Sequence, residues 1–216
     1  VIWQLLLAHL LADFPLQFES LFELKKRSMI GVLLHSTICT LLAVLLAPHL
    51  ITIVSCWLLF FISHALFDWL KVYITNKKAS LDNLWFFLLD QALHILIILT
   101  ACKLWPNSET PASPVIPYIC IYTIVGPASM VFLFYFKRLF YDELSDINSI
   151  RSWYGCLERM AVLTLILLPS PFYFTIPLLF MVRGIIFTEE KDTSLDLVVS
   201  SFIAVFCGLI IIIFIR

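Results

Sequence analysis

The chain has 216 residues, of which 62% are hydrophobic and 13% charged, with a formal net charge of −1. Soluble domains carry about 25% charged residues, so a chain this apolar cannot clothe a soluble core, and its near-neutral charge excludes nucleic acid as a general partner. No Asp, Glu, Lys or Arg occurs in Ser28–Phe67, Thr110–Phe136, Met160–Val182 or Leu197–Ile215. Runs of about 20 apolar residues match the thickness of a bilayer core. Backbone amides there must pair within their own segment, which makes these runs helices.

In chain order, the first apolar segment covers 1–18 and carries His9, Asp13 and Gln17. It lacks a small-residue cleavage site and reads as a retained helix rather than a signal peptide. The second, 30–47, carries His35, and the third, 51–73, carries His64, Asp68 and Lys71. Pro48-His49 breaks the chain between them, because proline removes a helix hydrogen bond. The fourth, 84–104, carries Asp90, Gln91 and His94. A loop at 105–114, with Pro106, Asn107, Pro111 and Pro114, is the one plausible divide. Segments at 115–138, 158–186 and 195–216 follow, the middle one interrupted by Pro169, Pro171 and Pro177 and so kinked or re-entrant. The expected fold is therefore all-α, a polytopic transmembrane bundle of about seven helices, six to eight at the limits. It has three parts: a four-helix His/Asp core over 1–104, an external loop over 105–114, and C-terminal transmembrane helices over 115–216.

The loops alternate in charge. Lys25-Lys26-Arg27, Lys77-Lys78, and Lys137-Arg138 with Arg151 follow the odd-numbered segments, whereas 48–50 and 105–114 hold no Lys or Arg. The positive-inside rule makes the basic loops cytoplasmic. The N-terminus is then outside, Arg216 inside, and the 187–194 loop with Glu189, Glu190, Lys191 and Asp192 external. Lys25, Lys26 and Arg27 read as topology determinants. The cysteines, Cys39, Cys56, Cys102, Cys120, Cys156 and Cys207, are scattered. Their spacing indicates neither a disulfide framework nor a thiolate site.

Four of the five histidines lie in the first four segments with three aspartates. His9/Asp13, His64/Asp68 and Asp90/His94 are each one helical turn apart, so each pair shares a helix face. Counted from the cytoplasmic ends at about 1.5 Å per residue, Asp13, His35, Asp68 and Asp90 lie roughly 10 Å deep, and His9, His64 and His94 roughly 15 Å deep. The order of His and Asp reverses in the fourth segment, as a helix of opposite direction requires if like residues share a depth. Buried carboxylates at one depth repel each other, and a divalent metal resolves that cost. Imidazole and carboxylate donors suit zinc, with manganese or iron as alternatives, held as one ion or two. Candidate metal ligands are His9, Asp13, His35, His64, Asp68, Asp90 and His94. Asp13, Asp68, Asp90 and His35 are also candidate acid–base groups. Gln17 and Gln91 are placed to orient ligands or substrate, or simply to bond across helices. Lys71 is placed to hold an anionic group or to snorkel to the interface. Glu158 and Arg159 open the sixth segment within reach of Arg183. No HExxH, GxSxG, Walker loop or GxGxxG is present.

The run His9-Leu-Leu-Ala-Asp13-Phe-Pro-Leu-Gln17, then Leu-Leu-His35, Ser63-His64-Ala-Leu-Phe-Asp68-Trp-Leu-Lys71 and Leu-Leu-Asp90-Gln91-Ala-Leu-His94, resembles a bacterial domain-of-unknown-function family of small polytopic inner-membrane proteins. The resemblance covers about residues 5–100. Gly155-Cys-Leu-Glu158-Arg159 also looks like longer members, which carry a lysine before the Arg183 position where this chain has Phe180-Met181-Val182. More distantly the chain is similar to membrane-bound metal-dependent hydrolases, an analogy of fold and residue type. It implies hydrolysis of a lipid or lipid-linked substrate at the cytoplasmic leaflet of a bacterial inner membrane. Membrane lipid is the expected partner, and a homo-oligomer is compatible with it. The rivals are a metal-ion or proton transporter or channel using the same cluster, and a metal-clamped scaffold or sensor.

Overall fold

A computed structural model describes residues 1–105, 113–141, 147–168, 175–187 and 193–214. The described residues are helical, with no strand among them. Five helices are long and apolar enough to cross a bilayer: Met29–Leu46, Val54–Lys77, Leu84–Leu104, Val115–Lys137 and Leu195–Ile213. The chain is thus a polytopic helical membrane protein. It divides into two compact units, Val1–Cys120 and Ile121–Arg216. Most of the 105–114 loop and of the acidic 187–194 loop, Pro169, Pro171 and Arg216 lie outside the described residues.

The first unit is built on α1 (Ile2–Asp13), α3 (Met29–Leu46), α4 (Val54–Lys77) and α5 (Leu84–Leu104), with the short α2 (Glu19–Arg27) against α3. One-turn 3₁₀ links at Pro48–Thr52 and Ala79–Leu81 join α3 to α4 and α4 to α5. Lipid tails are as apolar as leucine, so such helices associate through close backbone approach at small residues. Ala8 and Ala12 of α1 supply it on one side, and Cys39, Ala43 and Ala47, along and just beyond α3, on the other; all are buried in one core with Leu5, Phe60 and Ile98. Gln4 of α1 adds an interhelical bond, its amide donating to the Leu46 carbonyl at 2.9 Å.

The first segment is not one helix over 1–18. It stops at Asp13, and a separate amphipathic helix follows. Pro15 has no amide hydrogen with which to continue the ladder. Asp13 therefore sits at a helix end rather than several residues inside one. In α2, Leu21 and Lys25 face inward while Lys26 and Arg27 face out. Its nine residues have the make-up of an interfacial helix, apolar on one side and basic on the other.

Ser28 is the single residue between α2 and α3. Its hydroxyl donates to the Leu24 carbonyl (3.0 Å) and accepts from the Gly31 amide (3.1 Å), closing one helix and capping the next. Gly31 is obligatory for this turn: a Cβ there would lie 2.4 Å from backbone atoms of Leu24 and Lys25. Asn76 at the end of α4 holds the other side, donating to the Lys26 carbonyl at 3.0 Å.

The second unit takes in the end of α6 (Val115–Thr123), a π-helical turn at Ile124–Ala128, α7 (Ser129–Lys137), α8 (Ile150–Leu167), α9 (Ile176–Ile186) and α10 (Thr193–Phe214). The π turn surrounds Pro127, whose missing amide and ring disturb the ladder. Carbonyls left there are taken by Arg159, which donates to Val125 O (2.9 Å) and Gly126 O (3.4 Å). The segment over 158–186, expected to be interrupted by prolines and kinked or re-entrant, falls among the described residues into parts of α8 and α9, with 169–174 outside them. Pro177 lies in the first turn of α9, where proline is tolerated. Glu158 and Arg159 consequently sit in the middle of α8 rather than at its start, and both are buried. Arg183 pairs with Glu158 at 2.7 Å and with Asp196, and also donates to Ser200 (3.2 Å). Gly155 makes room for it, since a Cβ there would lie 2.9 Å from the guanidinium.

Candidate metal centre

The helix-turn spacing of the His/Asp pairs points them inward, and the bundle brings them together. His9, Asp13, His35, His64, Asp68, Asp90 and His94 are all buried. His94 stacks on His9 (centroids 4.9 Å apart) and lies 4.3 Å from His64. His35 lies 5.1 Å from His64 on the side of the carboxylates. Its Nε2 is 3.2 Å from Asp13 Oδ1 and 3.5 Å from Asp68 Oδ2. His64 Nε2 faces the same two carboxylates at 3.5 and 3.4 Å.

Hydrogen bonds fix which imidazole nitrogens carry lone pairs. Gln91 donates its amide to Asp13 Oδ2 at 3.1 Å. Its carbonyl must then face His9, and it accepts from His9 Nε2 at 3.2 Å. That leaves His9 Nδ1 as a bare lone pair. His94 Nδ1 donates to the Asp90 backbone carbonyl at 2.8 Å, which leaves Nε2 bare. His9 Nδ1, His64 Nε2 and His94 Nε2 are all buried without a hydrogen-bond partner. Buried polar atoms are rarely left so. Imidazoles held through one nitrogen with the other turned inward have the arrangement of metal ligands whose tautomer is set by outer hydrogen bonds.

Four sets of three donors each lie within 4.8 Å of one another: His9/Asp13/His94, Asp13/His35/His64, His64/Asp68/His94 and His9/Cys39/His64. The residues thus fit a divalent ion, and the sets overlap through His9, Asp13, His64 and His94. A tight cavity lined by His9, Phe60, Ser63, His64, His94, Ile97 and Ile98 adjoins the imidazoles.

Electrostatics modify the sequence reading. Two of the three carboxylates already have a lysine. Lys25, expected to mark topology, is only 6% exposed; its Nζ lies 2.7 Å from Asp68 Oδ1 and donates to Gln17 Oε1 at 3.1 Å. Lys71 lies 2.7 Å from Asp90 Oδ2 and keeps about 24% of its side chain exposed. Mutual repulsion of the aspartates is therefore a weaker argument for a metal than the sequence suggests. The unsatisfied imidazole nitrogens carry that argument instead. Gln17 reaches the cluster only through Lys25, whereas Gln91 touches it directly.

Two residues of the centre escape sequence reasoning. Lys25 is masked by its basic neighbours and by the unrecognised break at Pro15. Cys39 stands one turn from His35 on the same face of α3, a signal as good as that of the His/Asp pairs.

Gln91→Leu is expected to lower metal affinity about 10–100-fold by releasing His9 from its tautomer. A titration against a chromophoric chelator measures this, and an unchanged affinity would show that Gln91 has no such role.

An all-helical, multi-spanning membrane protein with a buried His/Asp cluster is the class that fold and contacts define. The chain belongs to the family described as Protein of unknown function (DUF3307), whose profile matches residues 1–118. That match spans nearly all of the first unit, and with it every His and Asp of the cluster. No curated protein and no solved structure matches the chain.

Proposed function

We propose that the protein is a membrane-embedded, metal-dependent hydrolase acting on a lipid or lipid-linked substrate. The observation that carries the metal is the trio of buried imidazole nitrogens, on His9, His64 and His94, that have no hydrogen-bond partner among the described residues. His9, His64 and His94 hold the ion, with Asp13, Asp68 and His35 completing or orienting the set. When bound, a divalent ion polarises an ester or phosphoryl oxygen and acidifies water. Asp13 is the best-placed proton acceptor, because it lies at a helix end and, among the described residues, faces imidazoles rather than a lysine. His35, 3.2 Å from Asp13, passes the proton on. Lys71, about a quarter exposed beside Asp90, is the nearest group to meet an anionic headgroup.

The loop charges support a bacterial inner-membrane location with the N-terminus outside and the cluster toward the cytoplasm. In that orientation the substrate enters sideways from the inner leaflet.

Metal analysis of detergent-purified protein tests the reading. Wild type is expected to hold zinc, or manganese or iron, at a stoichiometric level, and His64→Ala to hold almost none. Chelation should abolish lipid hydrolysis in proteoliposomes, and re-addition of the ion should restore it. Wild type that takes up no metal would end the metal reading. Metal-loaded protein that conducts ions without turnover would turn the reading to a transporter.

A further inference from the structure

We infer that Cys39 is a metal ligand, so that His9, Cys39 and His64 form a soft, three-donor site within the cluster. The inference rests on the metal reading above and deepens it by naming a thiolate donor and hence the kind of ion.

Geometry supplies the first reason. Sγ of Cys39 and one nitrogen each of His9 and His64 lie within 4.8 Å of one another. Donors around a tetrahedral zinc stand roughly 3.3–3.8 Å apart at ordinary zinc–nitrogen and zinc–sulfur bond lengths. Side-chain adjustments of about an ångström would bring the three into that range. Helix register supplies the second. Cys39 follows His35 by four residues, so one face of α3 presents an imidazole to the carboxylates and a thiol to the imidazoles. The third is that the partners are waiting. His9 Nδ1 and His64 Nε2 are fully buried with no hydrogen-bond partner among the described residues, and the Cys39 thiol is fully buried as well.

Chemistry then narrows the ion. Two imidazoles and a thiolate favour zinc, while manganese prefers an all-oxygen or nitrogen–oxygen set. His94, the third imidazole of the trio above, stands beside His9 and His64 as the remaining ligand, and Cys39 is the one sulfur donor among them. On binding, the Cys39 S–H bond gives way to a sulfur–metal bond and the thiol proton leaves to solvent. Asp68 and Asp13 remain beside the ion to take a proton or to hold a second ion.

The alternative is that Cys39 is only a small residue in the α1–α3 contact, like Ala43 and Ala47. Two measurements on the full chain separate these roles. Zinc-edge X-ray absorption of wild-type protein is expected to show a sulfur scatterer at about 2.3 Å beside nitrogen and oxygen at about 2.0–2.1 Å. Cobalt-substituted protein is expected to show a near-ultraviolet sulfur-to-cobalt band that Cys39→Ser loses and Cys56→Ser keeps. Bound zinc with a shell of nitrogen and oxygen alone overturns the role of Cys39 and leaves the metal reading standing. Failure of wild type to bind either ion overturns both. The absorption measurement needs no variant, so a folding defect in Cys39→Ser cannot mask the answer.

Discussion

Asp68→Ala protein is expected to lose metal and about 3–5 kcal/mol of stability together. Asp68 is fully buried and answers three groups: the Lys25 ammonium at 2.7 Å, His64 at 3.4 Å and His35 at 3.5 Å. Without it a buried ammonium is left with only the Gln17 carbonyl. Removing one member of a buried ion pair costs far more than replacing both by apolar groups. The double variant Lys25→Met/Asp68→Leu should therefore recover most of the lost melting temperature and none of the metal. Thermal unfolding and metal analysis of the same preparations check both halves. A single variant that melts with wild type would show that the pair contributes no stability. A double variant that regains metal would remove Asp68 from the centre.

Arg183→Leu should be at least as severe for the second unit, again about 3–5 kcal/mol or more. It would leave Glu158 and Asp196 as buried carboxylates stripped of their closest cation, and Ser200 without one of its two arginine donors. Glu158→Gln and Asp196→Asn, added to Arg183→Leu, should restore part of the loss because the orphaned charges are gone. Melting curves of the single and triple variants decide it. No rescue by the triple variant would mean that the shape of the guanidinium, fitted over Gly155, matters more than its charge.

The fold was legible wherever the apolar runs were uninterrupted. Helices α3 and α5 begin and end within a residue of their expected limits, since Ser28 and Asn83 cap them and the sequence between is unbroken. Prolines blurred the rest. Pro15 ended α1 early, and the 158–186 stretch resolved into two helices. The His/Asp cluster was legible because a four-residue spacing survives any uncertainty in helix ends. Lys25 was not, because its burial depends on a turn through Ser28 and Gly31 that leaves no hydrophobic period. Cys39 was not, because no second cysteine stands at metal-binding spacing from it and its neighbours are histidines on other helices. The pairing of Arg183 with Glu158 could be anticipated from apolar surroundings alone. Asp196 and Ser200 could not, since α10 otherwise reads as a plain lipid-facing span.

The polar face of α8 also sets an order to biogenesis. Arg151, Glu158 and Arg159 stand on a single 18-residue helix. Each charge at the centre of an isolated span opposes insertion by about 2.5–3.5 kcal/mol. This helix therefore cannot partition into lipid by itself as it leaves the ribosome. Its charges are met by Arg183 of α9 and by Asp196 and Ser200 of α10, so α8 is expected to settle with those helices rather than ahead of them. A chain truncated before α10 would lack the counter-charge and hydroxyl that make α8 tolerable in the bilayer, and should be handed to membrane proteolysis rather than accumulate.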